Sequence, residues 1–279
     1  MSCLGGFCPS FVTIEGAERR KPKPADIDID ALMKRVPLPA LPSLETPFNL
    51  LVTGVGGTGV VTVGQLISMA AHLEGKGASI LDFTGFAQKF GSVLSFVRIG
   101  QDPGQIHQVR IDTGMTDAVI GCDVVVSSSP KASGTYSART RVALNTASMP
   151  TGDLVMKRDA DLNIDGRRSS IEAVVGADNL ASFDANAASE ALFGDAVFAN
   201  VMMLGFAWQQ GLVPVSLDAL MRAVELNNVA VDNNKRALAC GRLMAADPSA
   251  LTEHLNPSSD IATSLDEIID RRAVFLDCL

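Results

Sequence analysis

The sequence predicts a three-layer α/β/α domain with a mixed, mostly parallel sheet and a helical C-terminal part. Three observations predict it. The stretch Asn49–Glu74 reads as apolar strand, glycine turn and helix. Short apolar or alternating runs then recur as far as Val155. The last third is dominated by helical periods. Strands alternating with helices cannot bury their apolar faces alone, and helices on both sides of one sheet solve that problem.

Residues 1–18 read as the tail of a preceding domain, with Cys3, Cys8 and a β-like run at Phe11–Ile14. Residues 19–47 read as a linker. It opens with the basic, proline-broken Arg19–Pro24 and carries Pro37, Pro39, Pro42 and Pro47. Proline at this density favours extended chain and forbids a long helix. One short helix fits within Asp26–Arg35. Residues 48–279 are then the globular body.

Within the body the first strand is Asn49–Thr53, and the first helix runs from Thr58 to Glu74. Gly75 stops it, because glycine takes the left-handed conformation that closes a helix. Ala78–Phe83 is the second strand and Gly85–Gly91 a loop. Ser92–Ile99 alternates well enough to be a strand, with Val93, Ser95, Val97 and Ile99 set against Leu94, Phe96 and Arg98. Gln101-Asp102-Pro103-Gly104 is a turn, so Ile106–Ile111 is expected to fold back antiparallel on Ser92–Ile99. Cys122–Ser127 reads as a buried Val-rich strand, Arg141–Asn145 as another, and Asp153–Val155 as an edge segment. Helices follow at Ser169–Val175, Ala185–Leu192, Asp195–Gln210, Ser216–Val224 and Val229–Ala246.

Composition narrows the function. A chain of 279 residues, 47% hydrophobic and with net charge −8, buries a sizeable core and shows no basic stripe. Nucleic acid and anionic membrane are therefore excluded as partners. No apolar run reaches the length of a membrane span. The acidic surface suits a cytoplasmic protein, and five cysteines do not make a secreted disulfide framework.

Gly54, Gly56 and Gly59 have the spacing G-x-G-x-x-G, with Gly57 and Thr58 between them. Three readings stay open. A dinucleotide could lie on the turn, with Asp82 at the end of the second strand as the ribose-binding acid. Another anion could sit at the helix N-terminus, which carries free N–H groups and partial positive charge. Or the glycines serve only a tight turn and close packing. Against the first stands the absence of a second mononucleotide unit in the later half. Gln88 and Lys89, in the loop after the second strand, are candidates to meet a phosphate or carboxylate there.

Beyond the turn the sequence resembles a known family. GVGGTGVVTVGQLISMAAHLEGKG and then LDFTGFAQKFGSVLSFVRI are similar to the gamma domain of 2-oxoacid:ferredoxin oxidoreductases, most of all the fused indolepyruvate enzymes. Ser2–Thr13 resembles the segment before that domain, and Ala223–Arg242 its C-terminal helices. Phe86 and Phe90 depart from the family pattern in the loop. The resemblance implies oxidative decarboxylation of an arylpyruvate to its acyl-CoA, with ferredoxin as electron acceptor. It also implies thiamine diphosphate on other domains or subunits, an iron–sulfur cluster in the whole enzyme, and coenzyme A as co-substrate. This chain would be inactive alone. Cys3 and Cys8, followed by Pro9, look like the back half of a cluster motif, but a four-iron cluster needs four ligands. Two alternatives are a stand-alone NAD(P)-dependent oxidoreductase and an assembly module whose turn binds nothing.

Three histidines lack triad partners, and there is no G-x-S-x-G. Ser127-Ser128-Ser129-Pro130 reads as a strand-to-helix turn with capping serines.

Overall fold

The computed structural model describes residues 27–84, 91–147 and 161–255, with a few more between 264 and 273. The short helix α1 (Ile29–Met33) falls inside the expected span. Asp28 caps it, accepting the Ala31 amide at 2.9 Å.

The sheet has six strands: β1 (Phe48–Val55), β2 (Gly77–Thr84), β3 (Ser92–Gly100), β4 (Ala118–Gly121), β5 (Arg141–Asn145) and β6 (Leu180–Phe183). Their order is β2-β3-β1-β4-β5-β6. β1, β4, β5 and β6 are mutually parallel, and β3 runs antiparallel to both β1 and β2. The sheet is thus mixed and mostly parallel, as expected.

Helices cover both faces. α2 (Val60–Leu73) leads from β1 to β2, crossing over β3. α3 (Val124–Ser127), α4 (Pro130–Ser133) and α5 (Ile164–Val175) follow, then α6 (Ala185–Phe193), α7 (Ala199–Gln209), α8 (Leu217–Asn227), α9 (Val231–Ala246) and α10 (Ser249–Leu255). Leu50 and Val52 of β1 point into the core built with α2, α7 and α9. Leu51 and Val55 point the other way, toward α3 and α5. Both faces of β1 are therefore dry, which is why it reads as an unbroken apolar run.

α7 is buried at every residue from Ala199 to Trp208. It crosses α9 at contact distance, since a side chain on Gly205 would strike the backbone of Leu238 and one on Gly241 that of Met202. The sulfur and aromatic side chains of α7 are core. Among the described residues no helix is long and apolar enough to cross a membrane.

Two expected strands are absent. Ile106–Ile111 does not pair with β3, because both edges of β3 are already taken by β1 and β2. The antiparallel component arises from those two pairings instead. Cys122–Ser127 is not a strand either. β4 ends at Gly121, and Asp123 then caps a helical turn, its Oδ1 accepting the Val126 amide at 2.7 Å. Ser127 Oγ donates back to the Asp123 carbonyl at 2.6 Å. The cap overrides the β preference of three valines. Asp153–Val155 lies outside the described residues. Several helices differ at their ends: α5 begins five residues earlier than expected, at Ile164 after the cap Asn163, and Ala196–Phe198 is a 3-10 turn before α7.

Candidate functional site

The glycine turn closes the C-terminal end of β1. From β1 the sheet grows one way through β3 to β2 and the other way through β4 to β6. Such a reversal opens a crevice at the strand ends, where α/β sheets bind ligands.

Each residue of the turn has its own reason. A Cβ on Gly54 would lie 2.5 Å from Val60 Cγ2 and 3.1 Å from Cys122 Cβ, so only glycine fits. The Gly56 amide donates to the Gly91 carbonyl at 2.7 Å, tying the turn to the start of β3. Gly57 and Gly59 are left-handed, at φ 87° and 94°. Thr58 Oγ1 donates to the Val55 carbonyl at 2.8 Å. Among the described residues the amides of Gly57 and Gly59 donate to no backbone acceptor, and the first-turn amides of α2 have no intrahelical partner. The turn therefore presents a group of N–H donors backed by the dipole of a 14-residue helix.

Asn200, on the first turn of α7, fixes that geometry. Its Nδ2 donates to the Thr58 carbonyl at 2.7 Å and to Thr58 Oγ1 at 3.3 Å. Behind it, Asn145 at the end of β5 uses every hydrogen-bonding position. Oδ1 accepts the amides of Ala147 and Ala185 at 3.1 and 3.0 Å, and Nδ2 donates to the Cys122 carbonyl at 3.1 Å and Asn186 Oδ1 at 2.9 Å. Sequence reasoning missed these asparagines. They reach the turn through the topology, from as far as 142 positions away, and carry no local motif.

The other predicted residues fall elsewhere. Asp82 is on β2 and accepts a hydrogen bond from Ser95 of β3. Its register partner Ser95 pairs in turn with Val52 of β1, so a whole strand separates Asp82 from the turn-bearing strand. At sheet spacing that is roughly 10 Å. In a dinucleotide fold the acid's strand is the neighbour of the first; here β3 occupies that place. Gln88, Lys89, Phe86 and Phe90 lie outside the described residues, as do Cys3 and Cys8.

Asp123 is buried beside the crevice. Burial pushes its carboxyl up, partly offset by the amides of Val126 and Val125 and by the charge of Arg167. Its Oδ2 has no hydrogen-bond partner. Burial, with the Asp123 charge, pushes the Cys122 thiol up to about 12, and burial does the same to Cys240. Neither is a thiolate nucleophile. Of the serine run, Ser127 shares a 2.7 Å hydrogen bond with Thr53, and Ser128 Oγ accepts from Arg167 Nη1 at 3.0 Å. Among the described residues no group of three or more His, Cys, Asp or Glu could hold a metal ion. What the site offers is a set of backbone N–H donors in a shaped crevice.

An α/β domain with a donor-rich glycine turn at its switch point, and an extra antiparallel strand beside it, defines the class. Residues 49–244 match the pyruvate ferredoxin/flavodoxin oxidoreductase family, and the chain belongs to that family. It is similar to indolepyruvate oxidoreductase subunit IorB of Thermococcus kodakarensis, 27% identical over 207 residues that cover 70% of this chain and 94% of that subunit. The fold is that of pyruvate oxidoreductase subunit PORC of Thermotoga maritima, with TM-score 0.52 and 20% identity over 71% of this chain and 96% of that one. It also matches part of the 2-oxoglutarate:ferredoxin oxidoreductase of Magnetococcus marinus, with TM-score 0.51 and 16% identity, covering 72% of this chain and 31% of that one. The resemblance to the gamma component of 2-oxoacid:ferredoxin oxidoreductases is borne out.

Proposed function

We propose that this chain is the gamma component of an enzyme that oxidatively decarboxylates indolepyruvate, or a related arylpyruvate, to its acyl-CoA while reducing ferredoxin. The family match supports the reaction class, and the likeness to IorB subunits supports the substrate. Thiamine diphosphate, held by another component, supplies the stabilised carbanion when bound. This chain's own part is binding. The amides at Gly57, Gly59 and the start of α2 receive one anionic group, and a phosphate of coenzyme A suits them. The Magnetococcus relative is described with coenzyme A bound, which favours that choice. Against a stand-alone NAD(P) enzyme stands the distance of Asp82 from the turn.

Reconstitution with the thiamine-binding component tests the assignment. Ferredoxin reduction should depend on both components and on coenzyme A, and should favour indolepyruvate over pyruvate by tenfold or more. Activity from this chain alone, or saturable NADH binding that Gly56→Val abolishes, would defeat the proposal.

A further inference from the structure

The two edges of the sheet differ. β6 is four residues long. β2 is eight residues long, and among the described residues it pairs with β3 alone. Short strands, prolines and lysines are ordinary means of blunting a sheet edge. β2 has neither proline nor lysine, and its one charged residue is Asp82. Its outer side therefore presents a row of backbone donors and acceptors to any strand that can reach it.

Apolar surface flanks this edge on both faces. Ile80 points toward α2, since a Cβ on Gly64 would lie 2.8 Å from Ile80 Cδ1. Beside it a groove of about 480 Å³ runs between α2 and α8, with Met69, His72, Ile80 and Leu226 in its lining. Met69, Leu73 and Leu226 are 41%, 43% and 47% exposed. Phe83 points to the opposite face and is 51% exposed. Lys131 of α4 holds its Nζ 4.9 Å from the centre of that ring. Single exposed apolar side chains are ordinary, but a group of them along an unpaired edge marks an interface.

The charges beside β2 are arranged by end and by face. On the α2 face, His72 stands at the start of β2, in the last turn of α2. Asp82 stands on the same face near the end, because alternate residues of a strand share a face. On the Phe83 face the order is reversed. Lys131 stands at the end of β2. Asp102 stands at the start, where a Cβ on Gly77 would strike its backbone. All four residues are exposed. A twofold axis through the edge sets two copies of β2 antiparallel, with like faces together. The start of each strand then meets the end of the other. His72 comes to the Asp82 of the second copy, and Lys131 to its Asp102. On each face a proton donor or cation meets a carboxylate.

We propose that two copies of this chain associate through β2, antiparallel, so that their sheets join into one. The backbone edge supplies the pairing, and Met69, Leu73 and Leu226 bury their apolar surface across the axis. The two kinds of charge contact set the direction of the strands.

Sedimentation of the full chain tests the proposal, with hydrogen exchange to locate the contact. The chain should dimerise at micromolar concentration, and amides of Gly77–Thr84 should gain protection as concentration rises. Met69→Glu and Leu73→Glu should each weaken the dimer tenfold or more while circular dichroism stays native. Lys131→Asp should weaken it severalfold, and so should Asp102→Lys. The two changes together in one chain should restore it, because each copy then offers the reversed pair. A chain that stays monomeric at high micromolar concentration overturns the inference, and so does a dimer that ignores all four single changes. Protection of β2 that appears only when the thiamine-binding component is added would give the edge to that component and overturn the second copy as its occupant.

Discussion

Asn145→Leu should be among the most damaging single changes in this chain. The side chain is fully buried and makes four hydrogen bonds, three of them to backbone groups at the ends of the parallel strands. Leucine fills a similar volume with nothing to donate or accept. It strands the Cys122 carbonyl and the amides of Ala147 and Ala185 in a site with no room for water. Each buried unpaired group costs about 1–3 kcal/mol. Taking the lower end for all three gives a loss of at least about 3 kcal/mol. For a body of this size the urea slope lies near about 3 kcal/mol per M, so the unfolding midpoint should fall by at least about 1 M at an unchanged slope. Asn145→Ala should cost less, because water can enter the vacated space and serve some of the orphans. A midpoint shift below about 0.3 M for the leucine variant would refute the reasoning, and would mean that α6 and the strand ends find other partners.

Two glycines of the turn should behave differently. Gly54→Ala meets Val60 and Cys122 and should lose about 1–3 kcal/mol through overpacking, whereas Gly57→Ala meets no atom within 4 Å among the described residues, so its cost is that of its backbone conformation. Thermal melts rank the two, and a reversed order would remove packing as the reason for Gly54. Asp123→Asn should change how stability depends on pH. Burial raises the folded carboxyl above its ordinary 3.8. The folded state therefore keeps a proton that the unfolded chain has lost, and stability falls as pH rises from about 3.8 through the folded value. Asparagine keeps the cap acceptor and removes this dependence, so the variant should gain on the native chain between acid and neutral pH. Parallel urea titrations across that range would show equal slopes if the carboxyl were unperturbed.

The legible parts of this molecule are those whose cause is local. β1, the turn and α2 are spelled out by an apolar run, three spaced glycines and a helical period ending at Gly75. β3 was expected as a strand, although it is buried on both faces and does not alternate, and α8 was legible in its capping Ser216, which accepts the Ala219 amide at 3.2 Å. What failed depended on neighbours. β4 and β6 have four residues each, too few to show a period. The three valines after Cys122 carry a β signature that one aspartate cap cancels. The strand expected at Ile106–Ile111 had no edge to join, which only the full strand order reveals. At the site, the glycines were legible and the asparagines were not. Asn145, Asn186 and Asn200 become a set only when β5, α6 and α7 converge on one crevice.

The position of β3 explains how a turn with dinucleotide spacing can serve another purpose. A dinucleotide site needs the phosphate-binding turn and the ribose-binding acid on adjacent strands. Here the chain leaves α2, forms the outer strand β2, and then returns as β3 to fill the place beside β1. The acid at the end of β2 is carried outward by one strand width, and Ser95 engages it there. The turn keeps its amides, because these depend on Gly57, Gly59 and the start of α2 and not on β2. Its conformation is set from the opposite side, by Asn200 on α7. The side of the turn that lies open is therefore the α6–α7 side and not the β2 side. That side carries uncharged carboxamides where a dinucleotide site would carry its acid.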